Sequence, residues 1–121
     1  MKILVCISHV PDTTSKINFT NNDTEFDKNG VQFVINPYDE FCLTRAMWFK
    51  EKQGAKVTVV NVGGVETETT LRKALAIGAD DAIRININPT DGLLVAKELA
   101  IIVKDGGYDL VLAGKESADY N

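Results

Sequence analysis

The residues that could do chemistry fall into a few short stretches. They are the end of an apolar run at Cys6-Ile7-Ser8-His9, the break at Asn36-Pro37-Tyr38-Asp39, Val62-Gly63-Gly64, and Gly114-Lys115-Glu116-Ser117-Ala118-Asp119. Asn before Pro reads as a helix cap and first helical residue, because Pro lacks the N–H that would find no intrahelical partner there. Such a start leaves backbone N–H groups and the positive end of the helix dipole free for an anion, although the same residues also serve as a plain cap. Asp39 and Glu40 in the first turn and Lys50 and Lys52 in the last suit that dipole. Covalent and acid–base chemistry has little to work with. His9 is the sole histidine, has no neighbouring nucleophile, and reads as a solvated loop residue. Neither Gly63-Gly64 nor Gly114-Lys115 has Walker spacing, and no G-x-G-x-x-G follows the opening apolar run. Glu25-x-Asp27-x-Asn29-Gly30 imitates the start of a calcium loop, but Asn36 stands where the bidentate carboxylate belongs, so no metal site is expected. Lys115 and Glu116 read by default as solvated charges that gain interest only from following a strand.

The elements that must position these residues follow from hydrophobic patterning. The apolar runs 3–8, 57–62, 82–87 and 109–114 do not alternate cleanly, as expected of parallel strands covered on both faces. Helical patterns lie between them. The first is 37–53, with Phe41, Cys42, Ala46, Met47 and Phe49 as its apolar face and Gly54 as its stop. The second is 66–78, with Leu71, Ala74 and Leu75 inward, and the third is 90–105, carrying Leu94, Val95, Leu99, Ile102 and Val103. Strand–helix repetition implies right-handed crossovers and a doubly wound α/β domain. Residues 12–35 are a polar insertion that reads as a β-hairpin between 16–19 and 31–35, turning at Asn29-Gly30.

Composition narrows the function classes. The chain has 121 residues, 45% hydrophobic and 25% charged, ordinary values for one globular domain. A net charge of −4 disfavours nucleic-acid binding, whereas a mononucleotide needs only a local patch of N–H donors. No run approaches the ~20 apolar residues of a membrane span, and the N-terminal run is too short and polar for a signal peptide, so a cytoplasmic protein without membrane insertion is expected. Cys6 and Cys42 lack metal spacing and read as buried free thiols rather than a disulfide. Open α/β sheets bind ligands beyond the carboxyl ends of their strands, where strand order reverses. With strand order 3-2-1-4, that crevice gathers Cys6–Val10, Val62-Gly63-Gly64, the Asn36 helix start and Gly114–Asp119.

At these residues the chain resembles the β-subunit of an electron transfer flavoprotein. The resemblance is carried by Val10-Pro11-Asp12 after the opening strand, by Asn36-Pro37-Tyr38-Asp39-Glu40, by TTLRKALAIGADDAIRI (69–85) and by DLVLAGKESAD (109–119). It implies an adenine-nucleotide alpha-hydrolase-like fold and an electron carrier without catalytic residues of its own. The β-subunit of that family holds AMP, or FAD in electron-bifurcating members, and pairs as a heterodimer with an FAD-carrying α-subunit that accepts electrons from acyl-CoA or other flavin dehydrogenases. Carried over by position, the cofactor contacts fall on Cys6, on Asn36, Pro37, Tyr38 and Asp39, on Val62, and on Gly114, Lys115, Glu116, Ser117, Ala118 and Asp119. Adenine would rest near Cys6 and Val62, and phosphates near the last stretch. Ser8 and His9 stand where family members often carry a basic residue. The resemblance covers about the first half of a family β-subunit, so residues 1–121 are expected to be a single nucleotide-binding domain truncated at its C-terminal end.

Two other functions compete. A stand-alone adenine-nucleotide sensor resembling universal stress proteins would need a later glycine-rich phosphate loop. A phosphoacceptor receiver would need acidic residues after the first strand, where Ser8 and His9 stand, and an Asp ending the third, where Ile85-Asn86-Ile87 stands.

Overall fold

In chain order the elements are β1 (Lys2–Cys6), β2 (His9–Pro11), β3 (Asn18–Thr20), β4 (Glu25–Asp27), β5 (Phe33–Ile35), α1 (Pro37–Gln53), β6 (Lys56–Val62), a 3-10 turn (Val65–Thr67), α2 (Glu68–Ile77), β7 (Asp81–Ile85), α3 (Gly92–Gly106) and β8 (Leu110–Ala113). The computed structural model describes residues 1–11, 18–20, 25–27, 33–87 and 92–114. Four parallel strands form one sheet in the order β7-β6-β1-β8, the predicted 3-2-1-4 arrangement. β1 is central, with Cys6 opposite Val60 on one side and Ala113 on the other.

The period-2 alternation of strands sorts the core onto two faces. Ile3, Val5, Val57 and Val59 join Leu43 and Ala46 of α1 and Leu71 and Ala74 of α2 in one buried cluster. Leu4 and Val60 point the opposite way and are also fully buried, on the face that the reversed β7-to-β8 crossover gives to α3. That reversal lies between β1 and β8, the place where open α/β sheets bind their ligands.

Local signals bound the helices well. α1 starts at Pro37 and ends at Gln53, where Gly54 takes the left-handed φ of 67° and donates its N–H to the Lys50 carbonyl at 3.0 Å. Lys50 Nζ then reaches across to the Gly78 carbonyl at 2.7 Å and Asp80 Oδ1 at 2.9 Å, while Asp80 Oδ2 accepts the Val57 N–H at 2.8 Å. One lysine and one aspartate thereby tie the ends of α1 and α2 to the start of β6. Among the described residues no helix is long and apolar enough to cross a membrane.

Which way the helices face departs from expectation. Phe41 is 72% exposed, and Leu43 and Asp39 take the inward positions with Ala46. Positions 39, 43 and 46 share one stripe of a 3.6-residue helix, and 41 lies about a third of a turn or more away from it. Leu75 is 39% exposed, and Thr70 instead takes an inward position with Leu71 and Ala74. Val103 of α3 is also exposed. The first turn of the expected second helix is the 3-10 turn, in which Thr67 Oγ1 donates to the Gly64 carbonyl at 2.8 Å. The insertion pairs differently as well. β5 pairs antiparallel with β2, and β3 pairs antiparallel with β4, so among the described residues the two arms of the expected hairpin, 16–19 and 31–35, are not paired with each other. Asn29 and Gly30, the expected turn, lie outside the described residues.

Candidate functional site

Where β1 ends, the chain runs through Ile7 and Ser8, and the start of α1 is fastened against it. The Asn36 N–H donates to the Ser8 carbonyl at 2.9 Å, and the Glu40 N–H closes the first helical turn on the Asn36 carbonyl at 3.0 Å. Asn36 occupies the cap position but makes no side-chain cap bond, contrary to expectation. It is only 2% exposed, and its side chain bonds the Asp39 carboxylate instead.

Asp39 is the centre of this arrangement. Its Oδ2 accepts the Ser8 N–H at 2.8 Å and its Oδ1 accepts the Gly114 N–H at 3.0 Å. The side chains of Asn36 and Ser8 also bond it. Asp39 is 4% exposed, so burial pushes its carboxyl above the ordinary value against the pull of those hydrogen bonds. The end of β1, the start of α1 and the end of β8 therefore meet on one carboxylate. Gly114 is the residue that permits it. A Cβ there would collide with Asp39 Oδ1 and approach Tyr38 Cβ to 2.9 Å.

Cys6, Asn36, Pro37, Tyr38, Asp39, Val62 and Gly114 all lie at the C-terminal edge of the parallel sheet. Val62 is buried at the end of β6, Cys6 is half-buried at the end of β1, and Pro37 and Tyr38 are exposed at the rim. Lys115, Glu116, Ser117, Ala118 and Asp119 lie outside the described residues. Both thiols are free. Burial, followed by the Asp39 and Cys42 charges, pushes Cys6 up to about 11, and burial followed by Asp39 raises Cys42. Protonated thiols are poor nucleophiles, so Cys6 contributes surface here rather than reactivity. Among the described residues there is no group of acidic, histidine or cysteine side chains able to hold a metal. What the edge offers is first-turn N–H groups of α1 without intrahelical acceptors, an exposed aromatic ring at Tyr38, and half-buried surface at Cys6. Such a set suits a flat heteroaromatic ring and an attached anion.

Two features escaped the sequence reading. Asn61 is buried in β6, donates Nδ2 to the Ile7 carbonyl at 2.8 Å, and leaves Oδ1 without a partner among the described residues. The one amide side chain inside the run VTVVNV was its signal. His9, expected in a solvated loop, instead sits in β2. Its ring stacks on Phe33 at 4.4 Å and its Nδ1 lies 2.6 Å from Thr70 Oγ1 of α2. The β2–β5 ribbon packs on α2 there and leaves the histidine half-buried.

Residues 23–121 match the Electron transfer flavoprotein domain family. The chain is 37% identical over 123 residues to the electron transfer flavoprotein subunit beta of Bacillus subtilis, covering 98% of this chain and 47% of that one. It is 34% identical over 125 residues to the human protein of the same name, covering 98% and 49%. It is 36% identical over 126 residues to Protein FixA of Azotobacter vinelandii, covering 98% and 44%. The chain thus spans about half the length of the curated relatives it matches.

Proposed function

Because this chain belongs to the electron transfer flavoprotein domain family and resembles its β-subunits, we propose that it is the nucleotide-holding N-terminal part of such a subunit. In this reading it binds AMP, or FAD as in electron-bifurcating members, and works beside an FAD-carrying α-subunit that takes electrons from acyl-CoA or other flavin dehydrogenases. The proposed contacts are Cys6, Asn36, Pro37, Tyr38, Asp39, Val62, Gly114, Lys115, Glu116, Ser117, Ala118 and Asp119. The observation that carries the reading is the convergence of β1, α1 and β8 on Asp39 at the strand-order reversal, where open α/β sheets place their ligands.

The described residues fit such a group. In this reading adenine rests against backbone near Cys6 and Val62, and the first-turn N–H groups of α1 suit its polar edge or a phosphate. FAD, when bound, supplies the electron chemistry. The chain's own residues bind and orient, and the proposal assigns none of them a catalytic step. Localisation is proposed to be cytoplasmic.

Calorimetric titration of the purified chain with AMP and with FAD, together with co-purification with an FAD-carrying α-subunit, tests the proposal. Saturable nucleotide binding and a stable heterodimer are expected. Absence of binding by both nucleotides would overturn the site, and nucleotide binding without α-subunit association would favour the stand-alone sensor.

A further inference from the structure

We propose that Asp39 is a positioning residue whose ionised carboxylate latches the end of β8 to the end of β1 across the first turn of α1, holding the Gly114 backbone at the candidate site only while it is charged. The affinity part of this inference rests on the nucleotide-binding reading above. The latch itself does not.

The geometry requires a carboxylate. Two backbone donors from distant segments, Ser8 at 2.8 Å and Gly114 at 3.0 Å, meet different oxygens of one side chain. A carboxylate accepts at both oxygens, whereas a carboxamide has one acceptor and one donor group and would set an N–H against an N–H. Protonation leaves one oxygen a full acceptor and turns the other into a hydroxyl that accepts more weakly, so one of the two backbone bonds loses strength. Gly114 is packed so closely on Asp39 and Tyr38 that any side chain would displace it. The contact therefore constrains both the backbone and the residue type at the end of β8.

Stability does not account for an ionised group in this place. Asp39 is nearly inaccessible, and its desolvation outweighs four hydrogen bonds that favour the charge. The fold thus holds an ion that it disfavours, at the point where three site segments meet. A residue retained for stability alone would have its charge favoured by its surroundings, as Asp80 does. The ionisable groups facing Asp39 among the described residues are the thiols of Cys6 on β1 and Cys42 on α1. Both are raised and stay neutral while a carboxyl titrates, so they do not mask it.

The test follows the Ser8 and Gly114 amide resonances of the full chain by NMR as pH is lowered from neutral. Both amides are expected to shift with one common midpoint above the ordinary Asp value, and Asp39→Asn is expected to abolish both transitions. Separate midpoints, or transitions that persist in Asp39→Asn, would overturn the latch. If that variant does not fold, the wild-type titration decides alone. AMP titration supplies the second readout. Asp39→Asn is expected to weaken binding by about tenfold or more and to remove the Asp39-linked fall in AMP affinity that wild type shows as pH drops through the amide midpoint, a change in pH profile that a merely structural role would not produce. Unchanged affinity would overturn the positioning role. Failure of wild type to bind AMP would refute the nucleotide reading, and the amide titration would still decide the latch.

Discussion

Asp39 Oδ1 and the Gly114 N–H are 3.0 Å apart across 75 residues of chain, and this bond joins the first turn of α1 to the end of the edge strand β8. Nothing local to either residue demands it. The bond exists because the β7-to-β8 crossover reverses direction and brings β8 beside β1, directly under the start of α1.

The close approach at Gly114 makes it sensitive to a single methyl group. Gly114→Ala would place Cβ against the Asp39 carboxylate, with Tyr38 Cβ and Asp39 N at 2.9 and 3.1 Å. Overpacking of this kind costs about 1–3 kcal/mol. Urea denaturation should show that loss, together with weakened AMP binding. A variant as stable as wild type would mean that the end of β8 moves freely.

Asp80 and Asp39 should impose opposite pH dependences. Asp80 lies below its ordinary 3.8, held there first by the Val57 N–H and then by Lys50. Its stabilisation is present above the unfolded value and is lost as pH falls through the folded one. Asp39 is raised above 3.8, chiefly by burial. Its contribution is therefore greatest below the unfolded value and is lost as pH rises through the folded one. Asp80→Asn should destabilise the protein at neutral pH by about 1 kcal/mol, with the deficit closing in acid. Asp39→Asn should compare more favourably with wild type at neutral pH than in acid. Urea titrations at several pH values measure both, and matching trends would contradict the assignment.

Asn36→Ala removes a side chain that is buried and bonded to Asp39. The expected loss is about 1–3 kcal/mol of stability, and a drop of roughly 5- to 150-fold in nucleotide affinity. Unchanged affinity in a folded variant would return Asn36 to a purely structural role.

His9→Phe would retain a ring against Phe33 but leave the buried Thr70 hydroxyl without its 2.6 Å partner. A destabilisation of about 1–3 kcal/mol is expected for an orphaned buried hydroxyl. The double variant His9→Phe/Thr70→Val removes both polar groups and should recover most of it. Thermal melts of the single and double variants give the coupling, and strictly additive losses would show that the pair is not coupled.

Strand positions and the limits of α1 were legible in the amino-acid sequence because they follow from short-range rules. Unbroken Val, Ile and Leu runs mark buried parallel strands, Asn36-Pro37 and Gly54 bound α1 to the residue, and alternation of strands and helices restricts the crossovers to one hand. The resemblance to electron transfer flavoprotein β-subunits was likewise legible in the motifs themselves, from Asn36-Pro37 to Gly114-Lys115.

Only the tertiary structure decided which atoms of those residues meet. The sequence places Asp39 in a first turn, where a carboxylate helps the dipole on any helix. Docking on the sheet turns it inward beside Leu43 and leaves Phe41 outside. The pairing of β2 with β5, the contacts of His9 with Phe33 and Thr70, and the reach of Asp39 to Ser8 and Gly114 were equally hidden. The physical reason is range. Caps and periodicity act over a few residues, whereas the partner of a buried polar group is whatever donor a distant segment brings within about 3 Å.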